Sequence, residues 1–168
     1  MITDAHSRYS SARENVLEHL FIGEMLRTLW IKGKYEVEVL RSEVDDRGYD
    51  VVIECDGVLR HIQLKTSYRG SKTRSQNVNS NIAKKSGGCV VWILFDAESL
   101  KLGPFRYLGE EPGKKLDLGN RPARHTRANS QGVKATRQNV RKISQAKFQD
   151  VSSIAALAEK LFATKGDA

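Results

Sequence analysis

An acid, an amide and a lysine fall within one stretch of the chain, GYDVVIECDGVLRHIQLKTS, which carries Asp50 near its start and Gln63 and Lys65 near its end. Tyr49 to Glu54 and Val58 to Thr66 both read as strands, and Asp56-Gly57 between them is a hairpin turn signal. An antiparallel hairpin turning there pairs position 50 near position 63, so Asp50, Gln63 and Lys65 converge at one end of a sheet. An Asp carboxylate and a Gln carbonyl are hard oxygen donors of the kind Mg²⁺ takes, one or two at a time, with water and substrate phosphate completing its octahedron. A neighbouring lysine orients or deprotonates a water and stabilises charge developing at phosphorus. These are the parts of a phosphodiester hydrolysis site, in which a metal activates the nucleophile and clamps the phosphate. One more carboxylate suits such a set, and the upstream helix offers Glu24 or Glu18.

The elements that must position these groups follow from pattern. Ser11 and Glu14 form a capping box, and Lys32-Gly33 a stop, so residues 12–32 are predicted to be one helix. At about 100° per residue, Leu17, Leu20 and Phe21 share a face with Glu24, while Ile22, Met25, Leu26 and Leu29 continue the apolar surface around the helix. Glu24 thus lies among apolar neighbours, where an unpartnered carboxylate is costly. Glu18, between Met25 and Leu29 in angle, meets the same problem. Tyr35 to Leu40 alternates as a half-buried strand, and in Val58 to Thr66 the residues Arg60, Ile62 and Leu64 face one way and His61, Gln63 and Lys65 the other. Ser67 to Asn81 is predicted as an exposed polar loop, Cys89 to Phe95 as the core strand, and Phe105 to Leu108 as another strand after a Gly103-Pro104 break. Residues 113–142 read mostly as loop with a short strand at Asn139 to Ile143, and Val151 to Phe162 as an amphipathic helix capped by Ser152 or Ser153. The fold class is therefore α/β, a mixed central sheet flanked by helices in a single domain.

Composition narrows the partners. The chain has 168 residues, 39% hydrophobic and 29% charged, enough for one core and too apolar for disorder. Its longest apolar run, Cys89 to Phe95, falls far short of the roughly 18 residues of a spanning helix. Met1 to Ser11 has no apolar h-region, so a cytoplasmic location is expected. Cys55 and Cys89 are too few for a disulfide framework or structural zinc site and read as buried thiols. Residues 1–56 carry 7 Lys/Arg against 12 Asp/Glu, net −5, and residues 57–168 carry 21 against 8, net +13, which together make the overall +8. That basic surplus attracts a polyanion, because neutralising phosphates releases counterions. Phosphate-gripping candidates are Arg69, Lys72 and Arg74 in the first predicted loop, and Arg121, Arg124, His125, Arg127, Lys134 and Arg137 in the second. Tyr68, Trp92, Phe105 and Tyr107 do not alternate with basic residues, which argues against a single-strand stacking platform. His61 is a proton-transfer candidate or a structural histidine, and Asp45 and Asp46 are an extra ligand pair or an acidic loop. No Gly-rich phosphate loop, zinc spacing or nucleophile elbow occurs.

The Asp50 to Lys65 segment, with the helix acid in GEMLRTLWIKGKYEVEVL before it, resembles the core of the PD-(D/E)XK nuclease superfamily. It resembles the subset with Gln in place of the second acid, as in Mrr-like restriction endonucleases, and the layout is similar to that of archaeal Holliday junction resolvases. The resemblance spans residues 12–96 and leaves 97–168 as a basic C-terminal extension. It implies a restriction-endonuclease-like core in which Asp50 binds metal, Gln63 holds the variable acid position, Lys65 is the catalytic lysine and Glu24 the helix acid. The implied activity is Mg²⁺-dependent endonucleolytic hydrolysis of DNA, with Mn²⁺ as a substitute, in restriction, defence, repair or recombination, by a homodimer that cuts both strands. Two other classes compete with it. The first is a nucleic-acid-binding module that keeps the fold without the chemistry, for which the neutral Gln63 speaks. The second is a small interaction protein whose basic face meets an acidic protein. Composition does not separate DNA from RNA.

Overall fold

The computed structural model describes residues 6–42, 47–124 and 135–163. Helix α1 (Ser10–Ile31) is followed by β1 (Val37–Arg41), β2 (Val51–Cys55), β3 (Val58–Tyr68) and β4 (Ser75–Asn79). A 3₁₀ turn (Ser80–Lys84) leads to β5 (Gly88–Phe95), β6 (Leu102–Gly109), β7 (Pro122–Arg124) and β8 (Thr136–Ser144). A second 3₁₀ turn (Gln145–Lys147), β9 (Gln149–Val151) and helix α2 (Ile154–Phe162) close the order. The protein is mixed α/β: six strands form a sheet in the order β1-β2-β3-β5-β6-β9, and β4-β8-β7 form a smaller one. Only β3 and β5 run parallel in the main sheet, with Ile62 opposite Cys89.

The apolar run GCVVWILF makes β5 a strand buried on both faces. On one face, Leu17, Phe21, Met25 and Leu29 of α1 pack with Ile53, Ile62, Val91 and Ile93 and with Leu157 and Leu161 of α2. On the other, Val90 and Trp92 meet Val78, Ile82, Leu116 and Ile143 beneath the small sheet. Arg60 is buried among the helix-facing residues, and its Nε donates to the Leu161 carbonyl at 2.7 Å, satisfying an acceptor at the C-terminal end of α2. Ser153 caps α2 as expected, its hydroxyl accepting from the Ala156 N–H at 3.2 Å. Among the described residues, no helix is long and apolar enough to cross a membrane.

Three expectations are corrected. The Ser11/Glu14 capping box does not form, because residues 6–8 are already helical, Tyr9 is the N-cap, and Ser11 lies inside the helix. The predicted loop 67–81 contains the end of β3 and all of β4, and 113–142 contains β7, while the short strand expected at Asn139 to Ile143 is part of the longer β8, so helices cover one face of the main sheet and a second sheet covers the other. Gly103-Pro104 does not break β6: the pair sits where the β5–β6 register shifts between Ile93 and Phe95, outside the β9 pairing, and there proline needs no ladder partner. Within residues 97–168, β6 and β9 extend the main sheet and the closing helix α2 packs on it.

Candidate active site

The β2–β3 hairpin turns on Asp56 (φ 49°) and Gly57 (φ 78°), the two positive-φ positions of a two-residue turn. Its register sets Val51 opposite Ile62 and so Asp50 opposite Gln63. The Asp50 N–H donates to the Ile62 carbonyl at 2.9 Å, and Asp50 Oδ2 accepts from the Leu64 N–H at 2.6 Å, a short charge-assisted bond that fixes the carboxylate against β3. Gly48 leads into this position with φ +79°, and a Cβ there would stand 2.7 Å from the Ile82 nitrogen, so glycine is required where the incoming chain crosses the 3₁₀ turn.

β2 stops where β3 continues to Tyr68, and a cavity of about 1130 Å³ opens beside the β3 segment from Leu64 to Thr66. Asp50 and Lys65 line it. One wall is the first half of α1, with Glu14, Asn15 and Glu18. The other wall is the small sheet and its approach, with Gln76, Asn77, Arg121, Arg124 and Lys142. Carboxylates thus face cations across Asp50 and Lys65. The Lys65 side chain makes no hydrogen bond or ion pair among the described residues. Glu18 is held by Arg41 at 2.6 Å, and the same guanidinium donates to Asn15 Oδ1 at 3.0 Å, tying the end of β1 to the acidic wall.

Not all predicted residues meet here. Gln63 is buried beneath β4, where its Oε1 accepts from the Asn79 N–H at 3.0 Å, and it does not line the cavity. Glu24 lies in a separate groove on the outer side of α1, with Val16, His19, Leu20 and Arg27. His61 hydrogen-bonds the Ser86 carbonyl through Nδ1 at 3.0 Å and meets the Tyr49 ring edge-on, a structural setting away from the cavity. Of the predicted phosphate contacts, Arg121 and Arg124 line the cavity, while Lys72 and Arg137 are exposed outside it. Arg69 donates to the Gly103 and Lys101 carbonyls, and Arg74 reaches Gln145. Asp45, Asp46, His125, Arg127 and Lys134 lie outside the described residues.

Glu14, Asn15, Gln76, Asn77 and Lys142 were not singled out as site residues by pattern. Glu14 had a legible signal, since it stands four residues before Glu18 on the same helix face, but the capping-box reading assigned it elsewhere. No aromatic side chain lines the cavity among the described residues, and Trp92 is core, donating to Ser67 Oγ at 3.0 Å and stacked by Arg106. Burial pushes the Cys89 thiol up to about 12 and raises Cys55 as well, so both are unreactive core thiols. Among the described residues, no group of three or more His, Cys, Asp or Glu side chains is gathered to hold a metal ion. Compared with models of known protein families and with curated proteins, the chain matches none.

Proposed function

We propose that the chain is a metal-dependent endonuclease that hydrolyses DNA phosphodiester bonds, acting in restriction and defence or in repair and recombination. The observation that supports this reading best is the cavity that joins Asp50 and Lys65, with carboxylates on one wall and Arg121, Arg124 and Lys142 on the other. The cationic wall suits a phosphodiester backbone, and Asn77 and Gln76 add neutral donors for phosphate oxygens. Lys65 orients the attacking water and stabilises the charge that develops on the phosphate oxygens.

Mg²⁺, or Mn²⁺ in its place, fits the donor chemistry here, because it takes one or two protein carboxylates and keeps several waters. Asp50 with Glu14 or Glu18 supplies those oxygens, whereas the Gln63 carbonyl is occupied by Asn79. When bound, the ion supplies an activated water and neutralises phosphate charge. Arg41 keeps Glu18 at the cavity wall. A binding module without catalysis is the second reading, favoured by the withdrawal of Gln63, which removes an oxygen ligand, and by the Glu18–Arg41 pair, which offsets negative charge offered to a cation.

The test is incubation of supercoiled plasmid, single-stranded and branched DNA with the protein in Mg²⁺, Mn²⁺ or EDTA. Cutting in metal that EDTA stops supports the enzyme. DNA binding with no cutting of any substrate supports the binding module.

A further inference from the structure

Helix α1 is apolar on two faces. Leu17, Phe21, Met25 and Leu29 turn into the core, whereas Tyr9, Val16, Leu20, Trp30 and Ile31 remain between 38% and 73% exposed. Tyr9, Val16, Gly23 and Trp30 follow one another a heptad apart, with Leu20 and Arg27 between them, the spacing by which one helix lies along another. Val16, Leu20, Gly23, Glu24 and Arg27 border a groove of about 470 Å³ on this face. Contiguous exposed apolar side chains with a polar edge mark an interaction surface.

Two details select the occupant. A methyl group built on Gly23 meets nothing within 4 Å, so nothing within the chain requires glycine there. Glycine in a helix interior costs stability, and what it offers in return is bare backbone for close approach by another helix. The side chains of Glu24 and Arg27 make no hydrogen bond or ion pair among the described residues. They lie three residues apart in the groove, so the face carries both signs of charge and complements itself. In an antiparallel two-fold pairing centred between them, each Glu24 meets Arg27 of the second copy and each Leu20 meets Ile31. A polyanion would be repelled by Glu24, and a partner of either single sign would meet a like charge.

We propose that the outer face of α1 is the interface of a homodimer, formed with a second copy of this chain packed antiparallel across Leu20, Gly23, Glu24 and Arg27. The proposal rests on this face and is independent of the nuclease reading. The Glu24 carboxylate, absent from the cavity, thereby has a role in assembly.

Sedimentation equilibrium of the full chain over a concentration series, with tryptophan emission recorded in parallel, tests it. The wild type is expected to dimerise, with emission moving to the blue as Trp30 is covered. Leu20→Glu, on an exposed position, is expected to weaken the dimer by at least about tenfold while leaving circular dichroism unchanged. Gly23→Ala is expected to raise the melting temperature of the monomer and weaken the dimer. Glu24→Arg and Arg27→Glu are each expected to weaken association, and the double reversal to restore it to within about threefold of the wild type. A wild type that stays monomeric throughout the series overturns the proposal, as does a dimer untouched by Leu20→Glu. A double reversal no tighter than either single one overturns the antiparallel pairing.

Discussion

Replacing Gln63 separates its role as a structural fastener from the metal-binding role that its place in the Gln-x-Lys motif implies. Gln63 is 4% exposed, and its Oε1 accepts from the Asn79 N–H at 3.0 Å, joining β3 to the end of β4. In Gln63→Leu the volume is nearly kept, but the Asn79 N–H loses its acceptor in a part-buried position. An orphaned buried donor costs about 1–3 kcal/mol, more than the net value of the bond itself. For a chain of this size that corresponds to a melting temperature lower by roughly 2–12 °C. Gln63→Glu retains a carbonyl acceptor but buries a carboxyl group, so it is expected to lose least at acid pH, where the group is neutral, and to lose more stability as the pH rises and the buried carboxyl must ionise. Urea unfolding gives the free energy, and titration with Mn²⁺ gives the metal affinity of the same preparations. The structure predicts that Gln63→Leu loses stability and keeps its Mn²⁺ affinity within about threefold, a difference under 1 kcal/mol. Full stability with loss of Mn²⁺ binding would refute the fastener assignment and return Gln63 to the metal.

Three further outcomes are expected. Gly48→Ala should destabilise by at least about 2 kcal/mol in urea unfolding, because an L-residue is strained at φ +79° and its Cβ would overlap the Ile82 backbone nitrogen, and a neutral result contradicts this. Arg124→Ala and Lys142→Ala should each lower the slope of log affinity against log salt for DNA by about 1, with the same loss on every sequence, and unchanged slopes would remove those side chains from the phosphate contacts. Burial holds the Cys89 thiol up at about 12, while in the unfolded chain it ionises near pH 8.5. Its contribution to stability is therefore whole below about pH 8.5 and is lost as the pH climbs toward about 12, at up to about 1.4 kcal/mol per pH unit. Between about pH 8 and about pH 10 the wild type should lose stability more steeply than Cys89→Ala, and equal slopes contradict the burial effect.

The elements that periodicity announces are those with a buried apolar stripe: α1, β2, β3, β5 and α2 match their predicted spans to within a few residues. β4 and β7 were hidden, and β8 was legible only from Asn139 to Ile143, because SQNVN, PAR and TRQNVRKIS are polar or basic and turn only Val78, Ala123 and Ile143 inward. They are strands because they pair with one another over Trp92, and β-propensity follows such tertiary context. The hairpin turn and the alternation of β3 made the meeting of Asp50 and Lys65 legible, since register follows from a two-residue turn. The helix acid was not legible in the same way. α1 has apolar residues all around, so its sequence does not say which stripe turns inward, and the choice of Leu17, Phe21, Met25 and Leu29 leaves Glu14 and Glu18 beside the cavity and Glu24 outside it.

The proposed chemistry at Asp50 and Lys65 is tested most directly by single-turnover cleavage of DNA, with DNA binding measured on the same preparations of wild type, Asp50→Asn and Lys65→Met. The wild type is expected to cut only with Mg²⁺ or Mn²⁺, and both variants to bind DNA within about threefold of it while cutting at least about a hundredfold more slowly, near 2.7 kcal/mol of lost transition-state stabilisation. Cutting that survives either substitution, or a wild type that binds DNA in the presence of metal and leaves it intact, would contradict the assignment.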